Sequence, residues 1–122
     1  MRASGLVRSI ALLVWGVLPL AAQQPPDMPF SAEAIRFFEN EVRPVLSTKC
    51  VTCHNNKLLT SGLSFESREA ILAGGNRGEA ASLGSPEDSL LIHATRQDGE
   101  LKMPPGGKLE PEQLAALVRW VE

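Results

Sequence analysis

Both cysteines of the chain, and one of its two histidines, lie in a single pentapeptide, CVTCH, at residues 50–54. A helical turn here would bring the Cys50 and Cys53 thiols to one planar edge and point the His54 imidazole toward the centre of that plane. This is the pattern of haem c attachment, in which two thioether bonds join the porphyrin and the histidine ligates iron. The motif therefore predicts one covalently attached haem c on Cys50, Cys53 and His54.

Three other chemistries use closely spaced cysteines, and the sequence supports each of them less well. A redox-active C-x-x-C is expected at a helix start after a strand, a βαβ setting that is missing here. Structural zinc needs four ligands, whereas Cys50, Cys53 and His93 supply three unless His54 joins from an awkward adjacent position. A disulfide across two intervening residues would be strained and would close a trivial loop. A non-haem metal or redox module therefore stays as an alternative.

The iron of such a haem needs a second axial ligand, and the sequence offers Met103. It stands in the segment KMPP, where two prolines stiffen the chain after it and two glycines then let the loop turn back. A thioether on a rigid loop is suited to be a distal ligand. The competitor His93 shares a helix face with Leu90 and Ala94, which favours a half-buried or solvent-facing histidine. The predicted metal ligands are therefore His54 and Met103.

The first 22 residues are typical of a secretory signal peptide. Two arginines precede an apolar run at residues 10–20, and the small residues Ala21 and Ala22 follow it. As a helix this run would reach only ~16 Å, against ~30 Å of hydrocarbon in a bilayer. We expect a signal peptide at residues 1–22, a linker at 23–30, and a periplasmic or secreted protein without a membrane span in its mature form. A retained N-terminal anchor is the alternative.

The charge of the exported part argues against nucleic acid as a partner. It keeps 10 of the 12 basic residues and all 14 acidic ones, so its net charge is near −4. No basic run with interleaved aromatic residues offers the electrostatic footprint that phosphate binding needs, and tyrosine is absent. We therefore expect no nucleic-acid partner.

The remaining sequence predicts an all-α chain, because it contains helices and loops but no convincing strand. The first helix begins with Ser31 as its N-cap, is broken or kinked at Pro44, and restarts in a turn that delivers Cys50. Three further helices are predicted in SREAILAGG, stopped by Gly74 and Gly75; in SPEDSLLIHATR, capped by Ser85 with Pro86 at the first position; and in EPEQLAALVRWVE.

The first and last helices are predicted to cross over the haem edge. The last helix places Leu114, Leu117, Val118 and Val121 on one stripe, which indicates a buried face. We expect Phe37 or Phe38 of the first helix to lie near Trp120.

Five segments resemble the planctomycete-type cytochrome c domain and occur in the order of that family: FFENEVRPVLSTKCVTCH, GLSFESREAILAGG, GSPEDSLLIHAT, KMPP and LEPEQLAALVRWVE. The resemblance covers nearly everything after the linker, residues 31–122. It implies a small class I-like cytochrome c fold of about four short helices around one covalent haem. In that fold Cys50 and Cys53 are attachment points, His54 is the proximal ligand and Met103 the distal one. Family members commonly carry the domain at the front of larger secreted proteins, so we expect truncation in the C-terminal helix and possible downstream domains.

The predicted function is one-electron transfer rather than enzymatic catalysis. The porphyrin nitrogens and two axial ligands would leave no open coordination site on iron, so the metal would cycle between ferrous and ferric states and exchange electrons with an unidentified redox partner protein. The ring nitrogen of His54 that does not bind iron is expected to donate to a nearby carbonyl. A haem enzyme or sensor with an open distal site is the alternative, and the domain would also suit the front of a larger enzyme.

Overall fold

The computed structural model describes residues 29–122, and within that range the chain is all-α. It contains no strand there, only an isolated bridge between Gly75 and Gly78. The all-α prediction is therefore confirmed for the described part of the chain. The predicted signal peptide at 1–22, and the linker except for its last two residues, lie outside the described residues.

Helix α1 runs through residues 32–50 and begins where the sequence predicts. The Ser31 Oγ atom accepts a hydrogen bond of 3.0 Å from the Ala34 backbone N–H, as an N-cap serine does. The helix changes pitch along its length in four consecutive segments: α-helical Ala32–Phe37, π-helical Phe38–Val42, α-helical Arg43–Val45 and π-helical Leu46–Cys50.

The predicted break at Pro44 is wrong, because α1 passes through this residue and continues to Cys50. Proline lacks an N–H and crowds the preceding turn, so a regular α-helix tolerates it poorly. Wider π turns on both sides of Pro44 accommodate it instead. The Pro44 carbonyl also accepts hydrogen bonds from the hydroxyls of Thr48 (2.7 Å) and Ser47 (3.2 Å). The unbroken helix therefore carries the chain directly to the CVTCH turn.

Three shorter helices follow: α2 at Arg68–Ala73, α3 at Leu90–Arg96 and α4 at Pro111–Val121. Helix α2 has the predicted limits, because the Ser67 Oγ accepts from the Ala70 N–H and Gly74 ends the helix at φ 73°. Helix α4 begins with Pro111 at its first turn, as predicted. Single turns of 3₁₀-helix lie at Thr60–Gly62 and Pro86–Asp88.

The helix predicted to begin after Ser85 is interrupted at Ser89. A 3₁₀ turn at Pro86–Asp88 is followed by extended backbone at Ser89 (ψ 119°), and α3 begins only at Leu90. Ser85 makes no side-chain cap. The reason is the fully buried Ser89 hydroxyl, which accepts from the Ser82 N–H (2.9 Å) and lies within bonding distance of the Ser82 and Ser85 carbonyls. These bonds hold the chain out of helical geometry at that residue.

Helix α4 packs against α1 and α3 and closes the core. The Phe38 and Trp120 rings lie 5.7 Å apart between centroids, which confirms the predicted contact. Leu117 and Val121 of the predicted stripe are almost fully buried. The other large buried residues come from every helix and the loops between them: Val42, Val45, Leu46, Phe65, Ile71, Leu91, Ile92 and Leu109. None of the helices in residues 29–122 has the length and apolarity needed to cross a bilayer.

Candidate cofactor site

Cys50, Cys53, His54 and Met103 line one cleft in the structure. The enclosed part of the cleft has a volume of about 170 Å³. The volume is about 1010 Å³ when the part open to solvent is included. The four side chains that the sequence singled out as cofactor ligands are thus brought together, although Met103 lies far along the chain from the other three. His93 does not line this cleft.

The end of α1 forms the first wall of the cleft and shapes the CVTCH motif. The Cys50 carbonyl accepts hydrogen bonds from the backbone N–H groups of Cys53 (3.2 Å) and His54 (2.9 Å). The motif is thereby closed into a tight turn at the helix end. This turn places both cysteines and the histidine side by side on the cleft lining.

The two cysteines have different surroundings. The Cys50 side chain is half-buried, whereas Cys53 is exposed, and neither forms a disulfide. Burial raises the pKa of the Cys50 thiol to about 11, because an apolar environment penalises the charged thiolate. Cysteines that act as nucleophiles or redox centres in proteins have lowered pKa values instead. The environment of Cys50 therefore does not favour a reactive thiolate.

The His54 imidazole is buried and held through one of its two nitrogens. Its Nδ1 atom lies 2.9 Å from the Thr60 carbonyl oxygen, and its ring meets the Phe65 ring edge-on at 5.7 Å between centroids. A carbonyl can only accept, so this bond requires the proton on Nδ1. In the neutral ring, Nε2 is then left as the acceptor, which is the form of imidazole that binds a metal.

The turn that carries Thr60 has an unusual backbone. Leu59 and Ser61 both adopt left-handed conformations, with φ of 43° and 57°, although neither is glycine. The Gly62 N–H donates to the Leu59 carbonyl at 2.7 Å, and the Leu59 N–H donates to the Asn55 carbonyl at 2.8 Å. Strained backbone of this kind persists only where the surroundings hold it in place, and it is frequent at functional sites. Here it aims the Thr60 carbonyl at His54.

Met103 is fixed by hydrogen bonds from the end of α3. Its backbone N–H donates to the Ala94 carbonyl at 2.8 Å. The Gln97 side-chain amide lies 3.3 Å from the Met103 carbonyl and 3.4 Å from the Pro104 carbonyl. Gln97 reaches this loop because it ends α3 in a left-handed conformation, with φ 58°. No sequence motif predicted this role of Gln97, since a lone glutamine after a helix carries no recognisable signal.

His93 is exposed and already engaged on the opposite side of α3. Its Nε2 lies 2.7 Å from the Glu87 carbonyl, and its Nδ1 lies 3.3 Å from an oxygen of Asp98. Two hydrogen bonds raise the pKa of His93. The one to the Glu87 carbonyl has the larger effect, and the one to Asp98 has the smaller effect. The solvent-facing position predicted for His93 is therefore the one it occupies.

The cleft is mainly apolar, and its donor set is suited to haem c. Two thiols, an imidazole and a thioether are the side chains that attach the porphyrin and occupy both axial positions of its iron. The apolar lining consists of Leu63, Phe65, Ala80, Leu90, Leu91, Ala94, Leu101, Pro104, Pro105 and Leu109. Within residues 29–122 no three His, Cys, Asp or Glu side chains cluster as a metal site of their own.

Residues 50–107 match the family model described as Planctomycete cytochrome C. The matched segment begins at Cys50 and includes Cys53, His54 and Met103. The resemblance predicted from the sequence motifs is therefore confirmed: this segment is similar to the planctomycete cytochrome c family. Searches of curated proteins and of solved structures gave no significant match.

Proposed function

We propose that residues 31–122 form a c-type cytochrome domain that holds one covalent haem and transfers single electrons outside the cytoplasm. The observation that carries the proposal is the convergence of two thiols, one imidazole and one thioether on a single apolar cleft. The family match over residues 50–107 supports it, because cytochromes c attach haem through the same motif.

The haem supplies iron that exchanges one electron at a time between its ferrous and ferric states. Cys50 and Cys53 would hold the porphyrin through thioethers, and His54 and Met103 would bind its iron. The Thr60 carbonyl accepts the hydrogen bond from His54 Nδ1 and so keeps Nε2 available. The soft thioether of Met103 would favour the ferrous state and raise the potential relative to a second histidine. The two ligands together would keep small molecules off the metal.

Covalent attachment of the haem requires export of the chain. The N-terminal 22 residues provide the signal peptide, and attachment takes place where exported thiols are handled, in the periplasm or at an equivalent secreted site. In a host that attaches haem to the full chain, deletion of residues 1–22 should give a colourless apoprotein. Thioether-linked haem in cytoplasmic protein, made without attachment machinery, would contradict this step.

The redox role is tested by spectroelectrochemical titration of the exported protein. We expect a single one-electron transition, and a ferrous form that does not bind carbon monoxide. A ferrous form that binds carbon monoxide readily, with turnover of peroxide, would favour the haem enzyme with an open distal site. Electrons would pass to and from a redox partner protein, and in a longer chain to downstream domains.

A further inference from the structure

Two cationic side chains, Lys49 and Arg77, line the cleft, and no carboxylate lies among the described residues that line it. The other titratable groups on the lining are the two cysteines and His54. A haem carries two propionate carboxylates. Even partial burial of a carboxylate is costly in free energy unless cationic or hydrogen-bonding groups contact it. Within residues 29–122 the ion pairs of the structure use Arg43, Arg96 and His93, so the guanidinium of Arg77 is not engaged by an acidic side chain.

Arg77 sits at the tip of a tight two-residue turn. Gly75 and Gly78 exchange backbone hydrogen bonds, each 3.0 Å long, with Asn76 and Arg77 between them. Gly78 has φ 102°, a conformation that other residues rarely adopt. The turn therefore projects the Arg77 side chain from a fixed backbone position.

This turn is docked on the segment that holds His54. The Asn76 N–H donates to the Ser61 carbonyl at 2.7 Å. A Cβ atom on Gly75 would lie 2.6 Å from the same Ser61 oxygen, so glycine is needed for the two turns to approach this closely. Because the Thr60 carbonyl holds the His54 imidazole, the backbone of the Arg77 turn is coupled to His54 through the neighbouring residues Thr60 and Ser61. A rigid link of this kind is what a residue that orients a cofactor requires.

The two cations differ in which edge of the porphyrin they approach. The vinyl groups that form thioethers and the propionates lie on opposite sides of the macrocycle. Lys49 directly precedes Cys50 and belongs to the thioether side. Arg77 comes from a separate loop, and its planar fork matches a carboxylate in a way that an ammonium does not.

We propose that Arg77 binds a haem propionate by charge-assisted hydrogen bonds and so fixes the haem in its cleft. This inference rests on the proposed function, because it requires haem c. The positive charge of Arg77 also opposes the additional charge of ferric iron, so it raises the midpoint potential. None of the sequence motifs pointed to this residue, since it lies outside CVTCH and KMPP.

The variants Arg77→Gln, Arg77→Lys and Lys49→Gln test the inference. Haem content is measured first, because absence of thioether-linked haem in the parent protein would overturn the proposed function itself. Infrared difference spectra between ferric and ferrous protein are then recorded with haem labelled with carbon-13 at the propionate carboxylates. We expect Arg77→Gln to shift the labelled carboxylate bands and to lower the potential, while Lys49→Gln leaves the bands in place.

The pH dependence of the midpoint potential gives a second readout. Loss of an adjacent cation should raise the pKa of the propionate by about one pH unit in Arg77→Gln, since paired carboxylates titrate lower than free ones. Arg77→Lys keeps the positive charge but not the planar guanidinium. Its midpoint potential should therefore stay close to that of the parent protein. If holo Arg77→Gln has the carboxylate bands and pH profile of the parent, or if only Lys49→Gln changes them, Arg77 does not bind a propionate.

Discussion

The Nδ1 atom of His54 lies 2.9 Å from the carbonyl oxygen of Thr60. In the neutral ring this hydrogen bond fixes the tautomer and leaves Nε2 as the nitrogen that would bind iron in the proposed function, and it joins the CVTCH motif to the turn at Thr60–Gly62. The same turn supports the Gly75–Gly78 turn through Ser61. A side-chain hydrogen bond from His54 to Thr60 and a backbone hydrogen bond from Asn76 to Ser61 therefore connect the His54 imidazole to both turns.

Gly75→Ala tests this support directly. Its Cβ would lie 2.6 Å from the Ser61 oxygen and 3.0 Å from the Leu63 Cβ, so the two turns must separate. We expect a loss of about 1–3 kcal/mol in the free energy of unfolding, as for overpacking elsewhere in proteins. Urea denaturation of the holoprotein measures it.

Gly99→Ala is the matched control, because a Cβ there meets nothing within 4 Å. It should change the free energy of unfolding by no more than about 0.5 kcal/mol, as surface substitutions usually do. Equal stabilities of the Gly75 and Gly99 variants would show that the two turns do not depend on this close approach.

Met103→Ala should open the distal position. The near-infrared sulfur-to-iron band of the ferric protein should vanish, the ferrous form should bind carbon monoxide, and the potential should fall. Met103→His should keep iron six-coordinate at a lower potential. His93→Ala should change none of these, because His93 is engaged by Glu87 and Asp98 away from the cleft. If His93→Ala abolished the low-spin spectrum and Met103→Ala preserved it, the axial assignment would be wrong.

Gln97→Ala should loosen the loop that presents Met103. The amide of Gln97 is within 3.4 Å of the Met103 and Pro104 carbonyls, so its removal leaves the loop held there by the Met103 N–H bond to Ala94. We expect a weaker sulfur-to-iron band and faster binding of carbon monoxide, with haem content unchanged. Gln97→Glu removes the donor with little change in size and should act in the same direction. A band of full strength in both variants would leave Gln97 without a positioning role.

His93 should make the stability of the domain depend on pH. Its pKa is raised in the folded state by Glu87 and Asp98, so its protonated form favours folding. The contribution is complete below the unfolded pKa of about 6.5, and it is lost as pH rises through the folded value. Denaturation midpoints of the parent and of His93→Gln at about pH 6 and about pH 8 measure it. The parent should lose more stability than the variant over this interval, and an identical loss would refute the linkage.

The parts of the structure that sequence predicted best are those set by short-range chemistry. The Ser31 cap and the stop at Gly74 are each decided within a few residues of the chain. The contact between Phe38 and Trp120 was also predicted, because the first and last helices were expected to cross.

The errors and omissions come from tertiary bonds. Ser89 interrupts the predicted helix because its buried hydroxyl bonds to Ser82 and Ser85, and nothing in the local sequence shows that it is buried. The carbonyl that holds His54 belongs to Thr60 only because Leu59 and Ser61 take left-handed backbone conformations. Non-glycine residues in that region are exceptions to propensity, and sequence patterns do not identify them.

The most direct test of the central claim is a pyridine haemochrome spectrum of the exported protein after extraction with acidified acetone. If Cys50 and Cys53 carry the porphyrin through thioethers, the colour should stay with the protein, the spectrum should be that of haem c, and the stoichiometry should be one haem per chain. The double variant Cys50→Ala with Cys53→Ala should give no such spectrum. Haem that passes into the acetone, or purified exported protein without haem, would contradict the assignment.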